Sequence, residues 1–183
     1  MQSRRSLIGK KSLSTQNITL MALVIAFRLA LGMLPAISIP PFVQIGFGFI
    51  GSALMGALLG PALAAGIGGI VDVLDFFIGG GSWGYFFPGY TLSAIVAGYF
   101  YGKGFYRQDV TWKRTFMTVL LNTLVVNLLL GSLWVYLMTD KGLFAILPIR
   151  LVKNLISLPL NTFIIYKLLN HPTIKRLLRE WRI

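Results

Sequence analysis

Apolar residues in this chain fall into six blocks, at about residues 16–34, 43–60, 62–78, 88–102, 113–138 and 144–169. A helix needs roughly 20 apolar residues to cross a bilayer core about 30 Å thick, and the longer blocks meet that length. The second to fourth are shorter and rich in Gly and Ala, so close helix packing or local thinning of the bilayer is expected there. Helix-breaking stretches separate the blocks: LPAISIPPF at 34–42, GP at 60–61, GGGSWGYFFPG at 79–89 and YGKGFYRQD at 101–109. No repeat and no Ser/Pro-rich linker divides the chain. The pattern predicts an all-α polytopic membrane protein, a compact six-transmembrane-helix bundle forming a single membrane-embedded domain over residues 1–183.

Composition sharpens this. With 56% hydrophobic residues, 12% charged and a mean hydropathy of +0.76, too little polar surface exists to cover a soluble domain. There is no cysteine and a single histidine, His171. Thiol redox chemistry and cysteine-ligated metals are thereby excluded, and no metal or cofactor is expected. The net charge of +12 raises nucleic acid as a partner, but no basic face interleaved with aromatics is present.

The basic residues cluster beside the apolar blocks. Four lie in the N-terminal tail (Arg4, Arg5, Lys10, Lys11), four between the fourth and fifth blocks (Lys103, Arg107, Lys113, Arg114) and five at the C-terminal end (Lys167, Lys175, Arg176, Arg179, Arg182). The alternate loops at 35–42 and 79–88 carry none, and the loop near 140 carries only Lys141. Thirteen against one places both termini in the cytoplasm, as an even number of crossings requires. ALG at 30–32 resembles a weak leader-cleavage site, but Arg28 within the block and five later blocks argue against a cleaved leader. The end TIKRLLREWRI repeats apolar residues at Ile174, Leu177, Leu178 and Trp181. That spacing suits a helix lying on an anionic leaflet, or a frayed charged tail.

Five ionisable residues fall inside the blocks: Arg28, Asp72, Asp75, Arg150 and Lys153. A charge in hydrocarbon is costly, so each should face a polar interior. With this orientation all five lie in the outer half of their helices. At about 100° per residue, Arg150, Lys153, Asn154, Ser157 and Asn161 share one arc, and Asp72 and Asp75 share a face of the third helix. Three cations against two anions leave a positive surplus, which suits either an anionic ligand or a structural ion-pair network. Opposite Arg28 lies a stripe of small residues, Ala22, Ala26 and Ala30, suited to close helix approach inside the bundle or to a partner helix. The outer loop GGGSWGYFFPGY offers Trp83 and Tyr85 on a glycine hinge. These read as a lid that stacks on a flat ring, or as an interfacial belt.

ALVIAFRLALG at 22–32, FFPGYTLSAIVAGYFYG at 86–102 and LPIRLVKNLISLPLN at 147–161 together resemble the substrate-binding S component of an energy-coupling factor (ECF) vitamin transporter, with the folate branch the nearest. The resemblance implies a multi-pass protein of a bacterial cell membrane that takes up its vitamin from the outer face and works without cofactor. It also implies that Ala22 and Ala26 contact a membrane scaffold, the T component, and that two cytoplasmic ATPase subunits supply the energy, since this chain has no Walker motif. Folate suits the residues: the acids Asp72 and Asp75 for its pterin edge, Trp83 or Tyr85 for its flat face, and Arg28, Arg150 or Lys153, beside Asn154, for its glutamate carboxylates. Thiamine, a cation, fits the surplus poorly, whereas pantothenate and biotin are anions and stay open. A stand-alone secondary transporter would need ionisable groups in the inner helix halves, which are almost bare of them. A membrane enzyme would need a catalytic set that the chain does not assemble, so no catalytic residues are expected.

Overall fold

The computed structural model describes residues 15–34, 37–39, 43–79, 86–139 and 143–180. Among the described residues six long helical segments come from five helices, because one turns back at Gly60. Helix α1 spans Thr15–Gly32, α2 Gly48–Gly79, α3 Pro88–Phe105, α4 Trp112–Met138 and α5 Leu143–Asn170. A short α6, Pro172–Glu180, follows. Helix α2 breaks at Gly60, whose φ of 79° and ψ of 175° lie outside the helical region. Only glycine adopts that φ without strain, and Pro61 after it is preset for a new first helical turn. The GP punctuation thus separates two passes, residues 48–59 and 61–79. Pro88 likewise opens α3 behind an extended Phe87, and the Thr111 hydroxyl caps α4 by accepting from the Arg114 N–H at 3.3 Å.

Two expectations change at the ends of the blocks. The apolar segment after α1 contains a small antiparallel hairpin, β1 (Ile37–Ile39) with β2 (Val43–Ile45), paired Ile37 to Ile45 and Ile39 to Val43. The second helix therefore starts at Gly48 rather than at 43; Ile and Val are β-branched and favour the pleated form. At the other end, α6 is a helix, yet its apolar face is not free to enter a leaflet. Leu178 is 2% exposed and Ile174 and Leu177 pack on the core. Asn170 anchors the join by donating to the carbonyls of Val110 and Tyr166 at 3.1 and 3.0 Å.

The core lies along the two arms of α2, where Ala53, Ala57, Leu58 and Ala64 are completely buried, and continues to Phe105, Ile165 and Leu169. Helices α2 and α3 meet backbone to backbone. A side chain at Gly98 would run into the Ala64 carbonyl, one at Gly102 into Pro61, and one at Gly68 would lie 2.8 Å from the Ala94 oxygen. Close approach of this kind replaces the hydrophobic drive that lipid cannot supply between helices. The outer surface of the bundle is apolar in turn. On α5, Leu155 is 78% exposed while Asn154 is 5% exposed, so the polar arc turns inward and the apolar arc faces lipid.

The packing makes a stability prediction. Gly98→Ala forces α2 and α3 apart and should cost about 1–3 kcal/mol, read as a lower unfolding midpoint in detergent. Gly66→Ala, where nothing lies within 4 Å, should leave the midpoint unchanged. Equal midpoints for all three proteins would show that the two helices can separate freely.

Candidate ligand-binding site

Leu20, Val24 and Arg28 recur every four residues along one face of α1, the first two buried at 6% and 4% exposure. That periodicity carries Arg28 into the bundle at the end where α1 meets the hairpin. Its guanidinium donates from Nη1 to Asp75 Oδ2 at 3.0 Å and from Nε to Ser52 Oγ at 3.2 Å. Ser52 in turn donates to the Gly48 carbonyl at 3.1 Å. The side chain lies in a trough made by missing side chains. An added Cβ would sit 2.8 Å from Arg28 Cζ at Gly48, 2.6 Å from Cδ at Gly51, and 2.8 Å from Asp75 Oδ1 at Gly32.

Asp72, three residues before Asp75 on the same face of α2, accepts a 2.8 Å hydrogen bond from Thr91 Oγ1 on α3. Arg28 attracts both carboxylates electrostatically. In the acidic cluster one carboxylate is therefore ion-paired and the other is held by a neutral hydroxyl, which leaves one negative charge over.

The second cluster differs. Arg150 donates from Nη1 to the Asn127 carbonyl at 3.0 Å, and its Nε is buried without a hydrogen-bond partner among the described residues. Lys153, three residues on, is close enough to repel it. Asn154 Oδ1 is likewise buried and unpartnered among the described residues. Among those residues no carboxylate comes within ion-pair distance of Arg150 or Lys153. The Tyr90 phenol lies within the electrostatic reach of Arg150.

The first turns of α3 join the two clusters. Thr91 holds Asp72, Tyr90 comes within the electrostatic reach of Arg150, and Ser93 accepts from Trp134 Nε1 at 2.8 Å. Phe87 packs against Tyr90 and Trp134 with ring centroids 5.9 and 5.7 Å apart. An acidic end, a cluster of mutually tilted aromatic rings and a cationic end are thus all tied to the start of α3. Arg28, Asp72 and Asp75 form one group, and Arg150, Lys153 and Asn154 the other; no hydrogen bond or ion pair among the described residues links them directly. Trp83 and Tyr85, with the lid assigned to them, lie outside the described residues. Ala22, Ala26 and Ala30 are all exposed on the opposite face of α1 from Arg28.

Sequence reasoning missed Ser52, Thr91, Trp134 and the Asn127 carbonyl. A lone serine or threonine in an apolar helix usually bonds its own backbone, and nothing in the chain says that Thr91 faces a carboxylate instead. Among the described residues no three His, Asp or Glu gather as a metal site. The cleft between α5 and α6, lined by Asn170, Lys175, Arg176 and Arg179, lies at the opposite end of the bundle.

Known proteins share the sequence pattern and the fold. The family described as "ECF transporter, substrate-specific component" matches residues 16–169. A folate transporter FolT of Clostridium novyi (strain NT) is 40% identical over 126 residues, 69% of this chain and 72% of that protein. A FolT of Leuconostoc mesenteroides subsp. mesenteroides is 30% identical over 168 residues, 88% and 89% of the two chains. The crystal structure of FolT bound with folic acid superposes with a TM-score of 0.78 at 33% identity, covering 84% of this chain and 92% of that one. The S-component for biotin from an ECF-type ABC transporter shares the fold, with a TM-score of 0.66 at 22% identity over 92% and 96%. With six passes stacked in the same way and a family match that runs from the start of α1 to the end of α5, this chain belongs to the substrate-specific components of the ECF transporters, integral membrane proteins of an uptake system.

Proposed function

We propose that this chain binds folate and is the specificity subunit of a folate importer of the ECF type. The observation that carries the reading is the pair Arg150 and Lys153, drawn into the bundle with no carboxylate partner among the described residues. Two neighbouring cations in a poorly hydrated place repel each other and are expensive unless anions join them. Folate brings two carboxylates on a glutamate tail, one for each cation. Its pterin is aromatic, which suits edge-to-face or offset contact with the cluster of Phe87, Tyr90 and Trp134. Its donor-rich ring edge suits the carboxylate of Asp72, an acceptor that an ion pair does not already occupy. Biotin and pantothenate carry one carboxylate each and leave one cation uncompensated. The 33% identity to FolT bound with folic acid supports the same ligand.

The cell geometry follows from the charges. Eight described flanking basic residues, Lys103, Arg107, Lys113, Arg114, Lys167, Lys175, Arg176 and Arg179, belong to the end of the bundle that carries α6, so that end is cytoplasmic and the site opens outward. Arg28 has a different part: committed to Asp75 and Ser52, it fixes α1 to α2 beneath the site rather than meeting the ligand. The exposed stripe Ala22, Ala26 and Ala30 takes the T component, which with two ATPase subunits supplies the energy. The chain itself carries out no chemical reaction.

Three outcomes are expected. Purified protein should bind folate far more tightly than biotin or pantothenate, and Arg150→Ala should lose about 1.5–3 kcal/mol of folate affinity in calorimetry; folate affinity too weak to measure would refute the ligand assignment. Arg28→Ala should lower the unfolding midpoint by stranding Asp75, and adding Asp75→Asn should recover much of it. No recovery in that double variant would mean that the pair is not what fixes α1. Ala26→Trp should abolish folate uptake by cells that express the whole transporter while leaving folate binding by the purified chain unchanged. Loss of binding as well would place the stripe inside the folded bundle.

A further inference from the structure

Helix α4 leaves regular α geometry over Thr123–Leu130, where the hydrogen bonds widen to a π pattern. At the end of this stretch the Gly131 N–H donates to the carbonyls of Leu128 and Val126. It passes over Asn127, the residue four back that a regular α-helix would use. The Asn127 carbonyl is the one that accepts from Arg150 Nη1, at 3.0 Å. Gly131 itself is where the guanidinium comes to rest: an added Cβ would lie 2.5 Å from Arg150 Nη1. Bare backbone on one side and a freed carbonyl on the other therefore define where the fork of Arg150 can sit.

The contrast with Arg28 gives the arrangement its meaning. Arg28 is held by a carboxylate, which neutralises it. Arg150 is held by a neutral carbonyl, which uses one of the five guanidinium N–H donors and leaves the charge intact. We propose that the π stretch and Gly131 form a latch that positions Arg150 for a carboxylate of the ligand without cancelling its charge. Asn127, through its carbonyl, and Gly131 are positioning residues in this scheme and do not touch the ligand. The proposal rests on the folate reading above and adds the device that orients its anionic end. The π register at Gly131 is what leaves this carbonyl open to Arg150, since an α-helical Asn127 carbonyl would be bonded along its own helix axis.

The test measures equilibrium binding of folate and of 6-hydroxymethylpterin, which has the ring but no carboxylate. Native protein, G131A, R150A and G131A/R150A are compared, each purified in detergent. G131A should lose about tenfold or more in folate affinity, the worth of a charge-assisted hydrogen bond, with the pterin unaffected. The double variant should be no weaker than R150A, because the latch has nothing left to position. Native-like folate binding by G131A, an equal loss for both ligands, or a loss that adds in full to that of R150A would overturn the latch. If G131A does not fold, R150K serves: an ammonium keeps the charge but cannot bridge a carbonyl and a carboxylate with a planar fork. Folate affinity should then fall by about tenfold, and native-like affinity would overturn the proposal. A native chain that binds no folate overturns the folate reading and the latch with it, whereas native binding beside an unaltered G131A overturns the latch alone.

Discussion

An ionised side chain below the membrane surface has no water to fall back on, so the protein must supply its partner. In this bundle that requirement fixes the relation of α1 to α2. Arg28 reaches Asp75 and Ser52 only if the two helices lie close and at the right rotation. The glycines at 48 and 51 make the reach possible, because side chains there would occupy the space of the guanidinium. A charge that would be a burden in lipid thereby becomes a geometric constraint on the fold.

The second consequence is the division of labour between satisfied and unsatisfied polar groups. Asp75 is spent on Arg28 and Asp72 is held by the Thr91 hydroxyl, so both acids have a partner while one negative charge stays over. Arg150 is left with a neutral carbonyl, and neither it nor Lys153 has a carboxylate partner among the described residues. Groups that a fold leaves short of partners while drawing them inward are where a ligand gains most. The aromatic cluster of Phe87, Tyr90 and Trp134 stands between the two ends, hung from the same first turns of α3 that hold Asp72. A ligand with a flat polar ring at one end and carboxylates at the other, as folate has, matches that order.

Close packing makes the scaffold stiff enough for this. Helices α2 and α3 touch through Gly98, Gly102 and Gly68, so that little play exists between the elements that carry Asp72 and Thr91. Helix α4 is the exception, with its π segment beside the cationic end. Irregular backbone in a membrane is tolerated where protein buries it and another group takes up the hydrogen bond that it frees. Arg150 takes up the one at Asn127.

The order of the six passes, the break at Gly60–Pro61 and the inward arc from Arg150 to Asn161 could be read from the chain. They follow from local rules: hydropathy over a window, the φ freedom of glycine before proline, and the helical repeat. The same rules led to the expectation that Arg28, Asp72, Asp75, Arg150 and Lys153 face inward at a similar depth. Which of them pair was beyond those rules. That Arg28 meets Asp75, that Thr91 takes Asp72, and that Arg150 finds a backbone carbonyl on α4 depend on rotations of whole helices about their axes. Those rotations are set by contacts between glycines and backbone far apart in the chain, and no periodicity within one segment records them. The hairpin at Ile37–Ile45 and the π stretch of α4 belong to the same class. Sequence alone determined which groups needed a partner, and tertiary packing decided which of them received one.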